Sequence, residues 1–391
     1  MRNIKALLLT VIACLITYSN AFSQTFEDYQ RQQEERLQQM QERIDSGIIE
    51  SMEAWENYRE REIQAFEAYK DEMEKLWGDF KSRSDKDWVE YRQDGKVRSS
   101  VDFENGTGSV EIIAESPEEV EAAQNQIRDE LVATLEDRGS QREFPMEGEE
   151  SKPIQDEPIL AGQLFSSTAS MASADIADEL AETAETRQVV GADGEERTVI
   201  YVNFSLAPDH IQTRARKVEH FVYQFAALHN LDPFLIFAII HTESHFNPAA
   251  RSFANALGLM QLVPSTGGRD AYRAVYNTDG VPTQDYLFIP ENNVKLGAAY
   301  VNLLMNRYLR GVQDTEVKEL LMIAAYNTGT GNVARAYTGR RSVSGALTAM
   351  NKLNSEETYN FLVENLPYEE TRDYVVKVTD RRAMYRDWAS Q

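Results

Sequence analysis

Apolar side chains recur along this chain with two different periods, and the changes of period divide it. Between residues 26 and 82 the sequence is rich in Gln, Glu and Arg and has no proline. Ile48, Met52, Trp55, Phe66, Tyr69, Met73, Trp77 and Phe80 recur there mostly three or four apart. That spacing predicts one long or broken amphipathic helix, with the almost wholly polar stretch 29–43 a weak helix, a spacer or disordered. The period then falls to two. Val97, Val101 and Phe103 alternate with polar residues, Asn105-Gly106 is a hairpin turn signal, and Val110-Glu111-Ile112 starts a return strand. Residues 117–138 have helical character. The segment 140–196, rich in Glu, Ser, Ala, Pro and Gly, reads as a largely flexible linker with one helix near 172–186. Residues 198–204 form a third strand candidate that could complete a small sheet with the hairpin. From Asp209 the pattern is helical throughout. Asp209 can cap a helix to about Asn230, and Asp232-Pro233 starts a helix over 234–245 that is apolar on nearly every side. Further helices are expected at 265–277, 289–309, 317–327, 333–337, 355–366 and 371–388.

Length and charge sharpen this division. At 391 residues, two domains plus extensions are expected. The expected units are a leader at 1–23, an acidic helix-plus-hairpin domain at 24–139, the linker at 140–196, and a second domain at 197–391 whose first strand could pair with the preceding domain. From Ser205 to Gln391 there are 19 acidic and 19 basic residues, against totals of 64 and 40, so the whole net charge of −24 precedes Ser205. A nucleic-acid partner is excluded by the lack of a basic surface. The first residues read as an export signal: Arg2 and Lys5, then an apolar run over 6–18 too short to span a bilayer comfortably, then Ala21-Phe22-Ser23 with small residues where a signal peptidase reads. The alternative is a lipoprotein box, Val11-Ile12-Ala13-Cys14. Against it, apolar residues continue after Cys14. Cleavage after Ser23 leaves no cysteine, and so neither a disulfide nor a cysteine metal site.

The residues that could carry chemistry lie in the second half. Glu243 ends the apolar helix. A carboxyl among apolar side chains resists ionisation, and the negative end of a helix dipole acts the same way, so Glu243 could stay protonated and protonate a glycosidic oxygen. The competing reading is a helix-end carboxylate facing water. Eighteen positions on, a small-residue loop containing Ser252 ends in Met260-Gln261, an amide able to donate to and accept from sugar hydroxyls or simply a loop residue. Tyr326-Asn327 closes another apolar helix before Gly329, either as a sugar platform or as a helix stop. Tyr374 lies in a final helix. His241 and His245 flank Glu243, but a zinc helix needs the glutamate next to the first histidine and a third ligand. Neither is evident, so no metal and no cofactor are expected.

Jointly, Glu-Ser-x-Phe-Asn-Pro, Gly-Leu-Met-Gln, Ala-Tyr-Asn-x-Gly and Leu-Pro-Tyr-x-Glu-Thr-Arg-x-Tyr-Val stand in the order in which they occur in the soluble-lytic-transglycosylase domain family. The chain resembles that family over about 205–388, and the region 88–113 is similar to the N-terminal domain of the membrane-bound lytic murein transglycosylase C group. The resemblance implies an α+β protein: a lysozyme-like, mostly α-helical catalytic domain behind a small α+β domain with a long N-terminal helix. It implies cleavage of peptidoglycan glycan strands in the periplasm, with outer-membrane association. Glu243 matches the family's catalytic acid/base, and Ser252, Met260, Gln261, Tyr326, Asn327 and Tyr374 match its cleft. Family members often carry Met two residues beyond the Gln; here Val263 stands there. One carboxylate suffices for a non-hydrolytic cut that closes a 1,6-anhydro ring, whereas a goose-type lysozyme-like hydrolase needs a second acid. A catalytically degenerate wall-binding protein is the remaining alternative. The acidic N-terminal half is expected either to space the catalytic domain from a membrane or to dock a protein partner through the aromatic stripe of Trp55, Phe66 and Trp77.

Overall fold

The computed structural model describes residue 57 and residues 60–146, 150–164, 171–252 and 254–388. The leader, Cys14 and Trp55 lie outside the described residues. The chain divides into the units Met1–Arg61 and Glu62–Gln391, and everything below concerns the second.

One antiparallel sheet and a helical body make up this unit, the expected α+β class. The sheet has the order β1 (Asp87–Arg92), β2 (Val97–Asp102), β3 (Thr107–Ala114), β5 (Glu196–Ser205), β4 (Glu185–Val190). The hairpin turns where Asn105-Gly106 indicates. Gly106 has φ +67°, and a Cβ there would meet His210 Nε2 at 2.9 Å. The register sets Trp88 opposite Val101, Val97 opposite Ile112, Ile112 opposite Ile200, and Val110 opposite Val202. Opposed residues share a face, so these form one apolar surface, and α2 (Pro117–Leu135) covers it with Ala123, Ile127, Leu131 and Leu135.

The other face is partly closed by α1 (residues 62–77), whose Met73 and Trp77 pack on Ile113 and Val199. This corrects the expected docking stripe. Trp77 is buried, with its indole N–H donating to Gly95 O at 2.8 Å, and Phe66 packs on Phe80 and Phe144. These rings cover their own sheet because strand residues of the second parity supply apolar partners for them.

The segment 140–196 also differs from a largely flexible linker. It buries Ile154, Ile159 and Leu160, and it carries α3 (Ser173–Ala181) and the edge strand β4. Composition hid this, because the few apolar residues are spread among polar ones and β4 is mostly exposed.

The helical body begins with α4 (His210–His229) and α5 (Pro233–Ser244), followed by a π turn (Pro264–Gly268) and α6 (Arg269–Tyr276). Then come α7 (Gln284–Phe288), α8 (Pro290–Leu303), α9 (Thr315–Thr328), α10 (Thr330–Thr338), α11 (Val343–Met350), α12 (Ser355–Asn365) and α13 (Glu369–Trp388). α5 is its axis: every residue from Leu235 to His241 is buried. Each large apolar side chain so placed contributes about 1.5–3 kcal/mol relative to exposure. The helices α7 and α11 and the strands β1 and β4 lay outside the sequence expectations. No helix among the described residues is long and apolar enough to cross a membrane.

Candidate active site

The site is built on the C-terminal end of α5. Asp232 caps the helix by accepting from Phe234 N at 2.9 Å, and Pro233 fits the first turn. The helix ends abruptly, with His245 and Phe246 both left-handed at φ +49° and +60°. Such conformations cost energy for non-glycine residues, and here their surroundings fix them. Phe246 is buried in the core, while carbonyls at this helix end meet guanidinium groups: Arg381 donates to His241 O at 3.0 Å and Arg214 to His245 O at 2.8 Å. Cations are favoured at this negative helix end. Arg214 is itself buried, its other donors spent on Gln163 Oε1 (2.6 Å), His210 Nδ1 (3.0 Å) and Phe103 O (3.1 Å). One side chain thus joins the hairpin, the 140–196 segment and the end of α5. Burial pulls its pKa down to about 9.

Glu243 is half-buried, and burial of its carboxyl raises its pKa to about 8. Tyr374 opposes the rise by donating its hydroxyl to Glu243 Oε1 at 2.6 Å; the charges of Asp85 and Glu370 add to it. Tyr374 arrives on α13, which runs against α5 and is anchored to its start by Arg382, 2.8 Å from Asp232; the same guanidinium lies 2.8 Å from Glu319 of α9. Tyr326 donates to Met260 O at 2.7 Å. Burial, then the Glu243 charge, holds its hydroxyl well above the usual range. Asn327 accepts from Thr371 Oγ1 at 2.7 Å and donates to Glu370 Oε1 at 3.4 Å. Glu243, Tyr374, Tyr326 and Asn327 are therefore brought together.

Ser252 and Gln261 lie in a neighbouring loop and use hydrogen bonds within it. Ser252 Oγ accepts from Ala256 N at 3.0 Å, and Gln261 Nε2 donates to Ala250 O and Gly258 O at 3.1 and 2.9 Å. Gln261 Oε1 is left without a hydrogen-bond partner among the described residues. Ser244 Oγ donates to Leu259 O at 2.8 Å and so fastens this loop to α5. Met260 departs from expectation. Its side chain is fully buried in the helical core, so it is no cleft contact; its carbonyl, by accepting from Tyr326, is what reaches the site.

Sequence reasoning missed three contributors. Asn293 on α8 is fully buried. Its Oδ1 accepts from Met260 N (2.8 Å), and its Nδ2 donates to Leu257 O (2.8 Å) and Leu287 O (2.7 Å), locking the Gly-Leu-Met-Gln loop. Gly258 permits the approach: its φ is +71°, and a Cβ would meet Asn293 Nδ2 at 2.4 Å. The second is Asp85, in the turn before β1, whose own pKa burial raises. That turn is tied to the helical body because Ser84 O accepts from Arg251 N at 3.2 Å, one residue before Ser252. Beside it Lys86 bonds Glu104, and Glu104 lies 3.7 Å from His245. The third is Arg214. No residue spacing announces any of these, because each acts across a long stretch of chain. His241 and His245 are turned to structural use. His241 Nδ1 lies 3.1 Å from Tyr385 OH and His245 Nε2 3.3 Å from Arg381, and burial lowers their pKa values to about 2 and about 4.

Residues 222–347 match the family model of the transglycosylase SLT domain. Residues 57–217 match that of the membrane-bound lytic murein transglycosylase C N-terminal domain. The membrane-bound lytic murein transglycosylase C of Mannheimia succiniciproducens is 31% identical over 304 residues, covering 76% of this chain and 81% of that protein. The protein of the same name from Haemophilus ducreyi is 33% identical over 299 residues, covering 76% and 78%. The 70 kDa soluble lytic transglycosylase of Escherichia coli superimposes at 25% identity and a TM-score of 0.34, over 44% of this chain and 24% of that one. With relatives at this identity aligned over most of both chains, and both halves matched in order, this chain belongs to the membrane-bound lytic murein transglycosylase C family.

Proposed function

We propose that this enzyme cuts the β-1,4 bond between N-acetylmuramic acid and N-acetylglucosamine in peptidoglycan without consuming water, leaving 1,6-anhydromuramoyl ends. The observation that carries the reading is Glu243 itself, set at the end of the apolar helix α5 with its Oε1 accepting from the Tyr374 hydroxyl at 2.6 Å, where burial pushes its pKa up to about 8. An acid of that pKa is protonated at neutral pH and can give its proton to the glycosidic oxygen as the bond breaks. The resulting carboxylate is stabilised by the hydroxyl it already accepts from, and it can then take the proton of the muramic C6 hydroxyl as that oxygen closes on C1. In this reading Asn327, oriented by Thr371, and Tyr326 steer the substrate's N-acetyl group toward the cationic centre. Gln261, with an unused Oε1, and Ser252 would contact sugars along the neighbouring loop.

Hydrolysis is the second reading, and one observation favours it: the Asp85 charge reaches Glu243, and hydrolytic glycosidases use two carboxylates. Burial raises the pKa of Asp85 as well, which suits a water-activating base poorly at acidic pH. The relatives' name and the apolar leader together support an exported, envelope-associated enzyme. Glu243→Gln should abolish cleavage of purified peptidoglycan. A folded variant retaining a tenth of wild-type activity would overturn the single-acid mechanism.

A further inference from the structure

The helix that brings the Tyr374 hydroxyl to Glu243 meets the end of α5 a second time. Tyr374, Val378, Arg381 and Tyr385 follow one another at helical spacing along α13, which puts them on one face. That face lies against α5. Tyr385 stacks on Phe237 with ring centroids 5.3 Å apart, and its hydroxyl is 3.1 Å from His241 Nδ1. Between Tyr374 and Tyr385, the Arg381 guanidinium donates to His241 O at 3.0 Å and lies 3.3 Å from His245 Nε2. His241 stands two residues before Glu243 and His245 two residues after it. One side chain therefore ties the turn that bears the acceptor, on both sides of it, to the helix that bears the donor. Arg214 bonds the same helix end from α4 but has no such link to Tyr374.

The second contact also fixes an imidazole. Burial, then the Arg381 charge, brings the His245 pKa down to about 4, so the ring is neutral at neutral pH. With Arg381 donating to Nε2, the ring proton sits on Nδ1, which has no hydrogen-bond partner among the described residues. The orientation of the ring thus depends on Nε2, and the residue that carries it is left-handed at φ +49°. Arg381 faces Tyr374 and Tyr385 on its own helix, His241 and His245 on α5, and Glu104 at the hairpin turn; Arg214 acts on both histidines from α4. The Arg381 charge reaches the Tyr374 hydroxyl, whereas the groups acting on Glu243 itself are Tyr374, Asp85 and Glu370. Arg381 thus reaches the carboxyl by way of Tyr374 and the turn.

Resting on the proposed function, we propose that Arg381 is a positioning residue for the reaction: by fastening the turn around Glu243 to the helix of Tyr374, it sets the hydrogen bond between the acid and the hydroxyl that stabilises its ionised form. Without it, α13 is held to α5 by Tyr385 and Arg382, which lie farther along the helix from Tyr374, and His245 loses the donor that orients it.

The test compares the full chain with Arg381→Met, which keeps the stem and removes the donors, and with Arg381→Lys, which keeps a cationic donor without the fork that spans two acceptors. On purified peptidoglycan Arg381→Met should lose about three- to tenfold in kcat, with KM within about twofold of the wild type. The basic limb of its pH–rate profile should move up, the direction expected of Tyr374→Phe, because the same hydrogen bond is weakened. Combined with Tyr374→Phe the losses should not multiply: the double variant should stay within about twofold of Tyr374→Phe alone. Arg381→Lys should show smaller changes of the same sign, and it carries the comparison if Arg381→Met does not fold. Losses that multiply, a limb that stays in place, or a change in KM rather than kcat would each show a merely structural role and overturn the proposal. A readout without substrate separates this outcome from failure of the proposed function. The carbon-13 carboxyl signal of Glu243, assigned by its disappearance in Glu243→Gln, should titrate at higher pH in Arg381→Met than in the wild type. No cleavage even by the wild type would overturn the enzymatic reading, whereas an unmoved titration would overturn the positioning role.

Discussion

Burial that keeps Glu243 protonated also makes the fold less stable as pH rises. Its folded pKa is about 8 against 4.5 as the ordinary value, so between these the folded state holds a proton that the unfolded state has released, and stability falls with pH. Glutamine cannot titrate. Glu243→Gln should therefore match the wild type in thermal stability near pH 4.5 and exceed it by about 1–3 kcal/mol near pH 8. Melting curves across that range check this, and parallel curves would show that Glu243 titrates normally. The neighbours give opposite signs in the pH–rate profile. Tyr374→Phe removes a hydrogen bond that favours the ionised form, so the basic limb should move up while kcat falls about 10–100-fold. Asp85→Asn removes a charge that disfavours it, so the limb should move down; two shifts of the same sign would refute the assignment. Glu243 was legible because an isolated acid closing an apolar helix is conspicuous, and Tyr374 because its motif is. Asp85 was not, since nothing in the 84–87 stretch reveals that it folds back onto residue 251. Met260 misled for the opposite reason: its motif is conspicuous, yet only its backbone reaches the site.

At the scale of elements, α5 was readable from its cap, its proline and its apolar run. What ends it correctly was not, because Arg214 and Arg381 approach from 31 residues before and 136 after His245. Arg214→Met keeps bulk but strands four buried acceptors, each hydrogen bond to a charged donor being worth about 1.5–3 kcal/mol. The variant should lose roughly 2–4 kcal/mol in urea unfolding, with cleavage reduced more than a stability loss at a distant position would cause. Unchanged stability would mean that solvent replaces the guanidinium. The hairpin and β5 were legible from period two. β1 and β4 escaped because β1 sets its buried residues Trp88 and Val89 side by side, without alternation, and β4 is an exposed edge whose pattern carries little apolar signal.

The whole molecule differs most from its sequence outline. Charge and composition suggested an acidic domain at 24–139 joined by a largely flexible linker to a second domain at 197–391, yet residues 62–391 form one unit. One apolar cluster holds Trp88, Val97, Ile112 and Ile200 of the sheet together with Leu257, Leu262, Leu287, Phe288 and Leu296 of the helical body. A chain beginning at Ser205 would expose several of these side chains at about 1.5–3 kcal/mol each, a large share of a typical stability of 5–15 kcal/mol. It should be insoluble or inactive, and a soluble, fully active truncation would show that the shared core is dispensable. Net charge could not foresee this, because it reports the surface. For the reaction itself, the decisive measurement is mass spectrometry of products released by the full chain from purified peptidoglycan in oxygen-18 water. Glu243 acting alone predicts 1,6-anhydromuramoyl ends without the label. Labelled reducing ends as the main product would contradict it and assign Asp85 or another carboxylate to activating water.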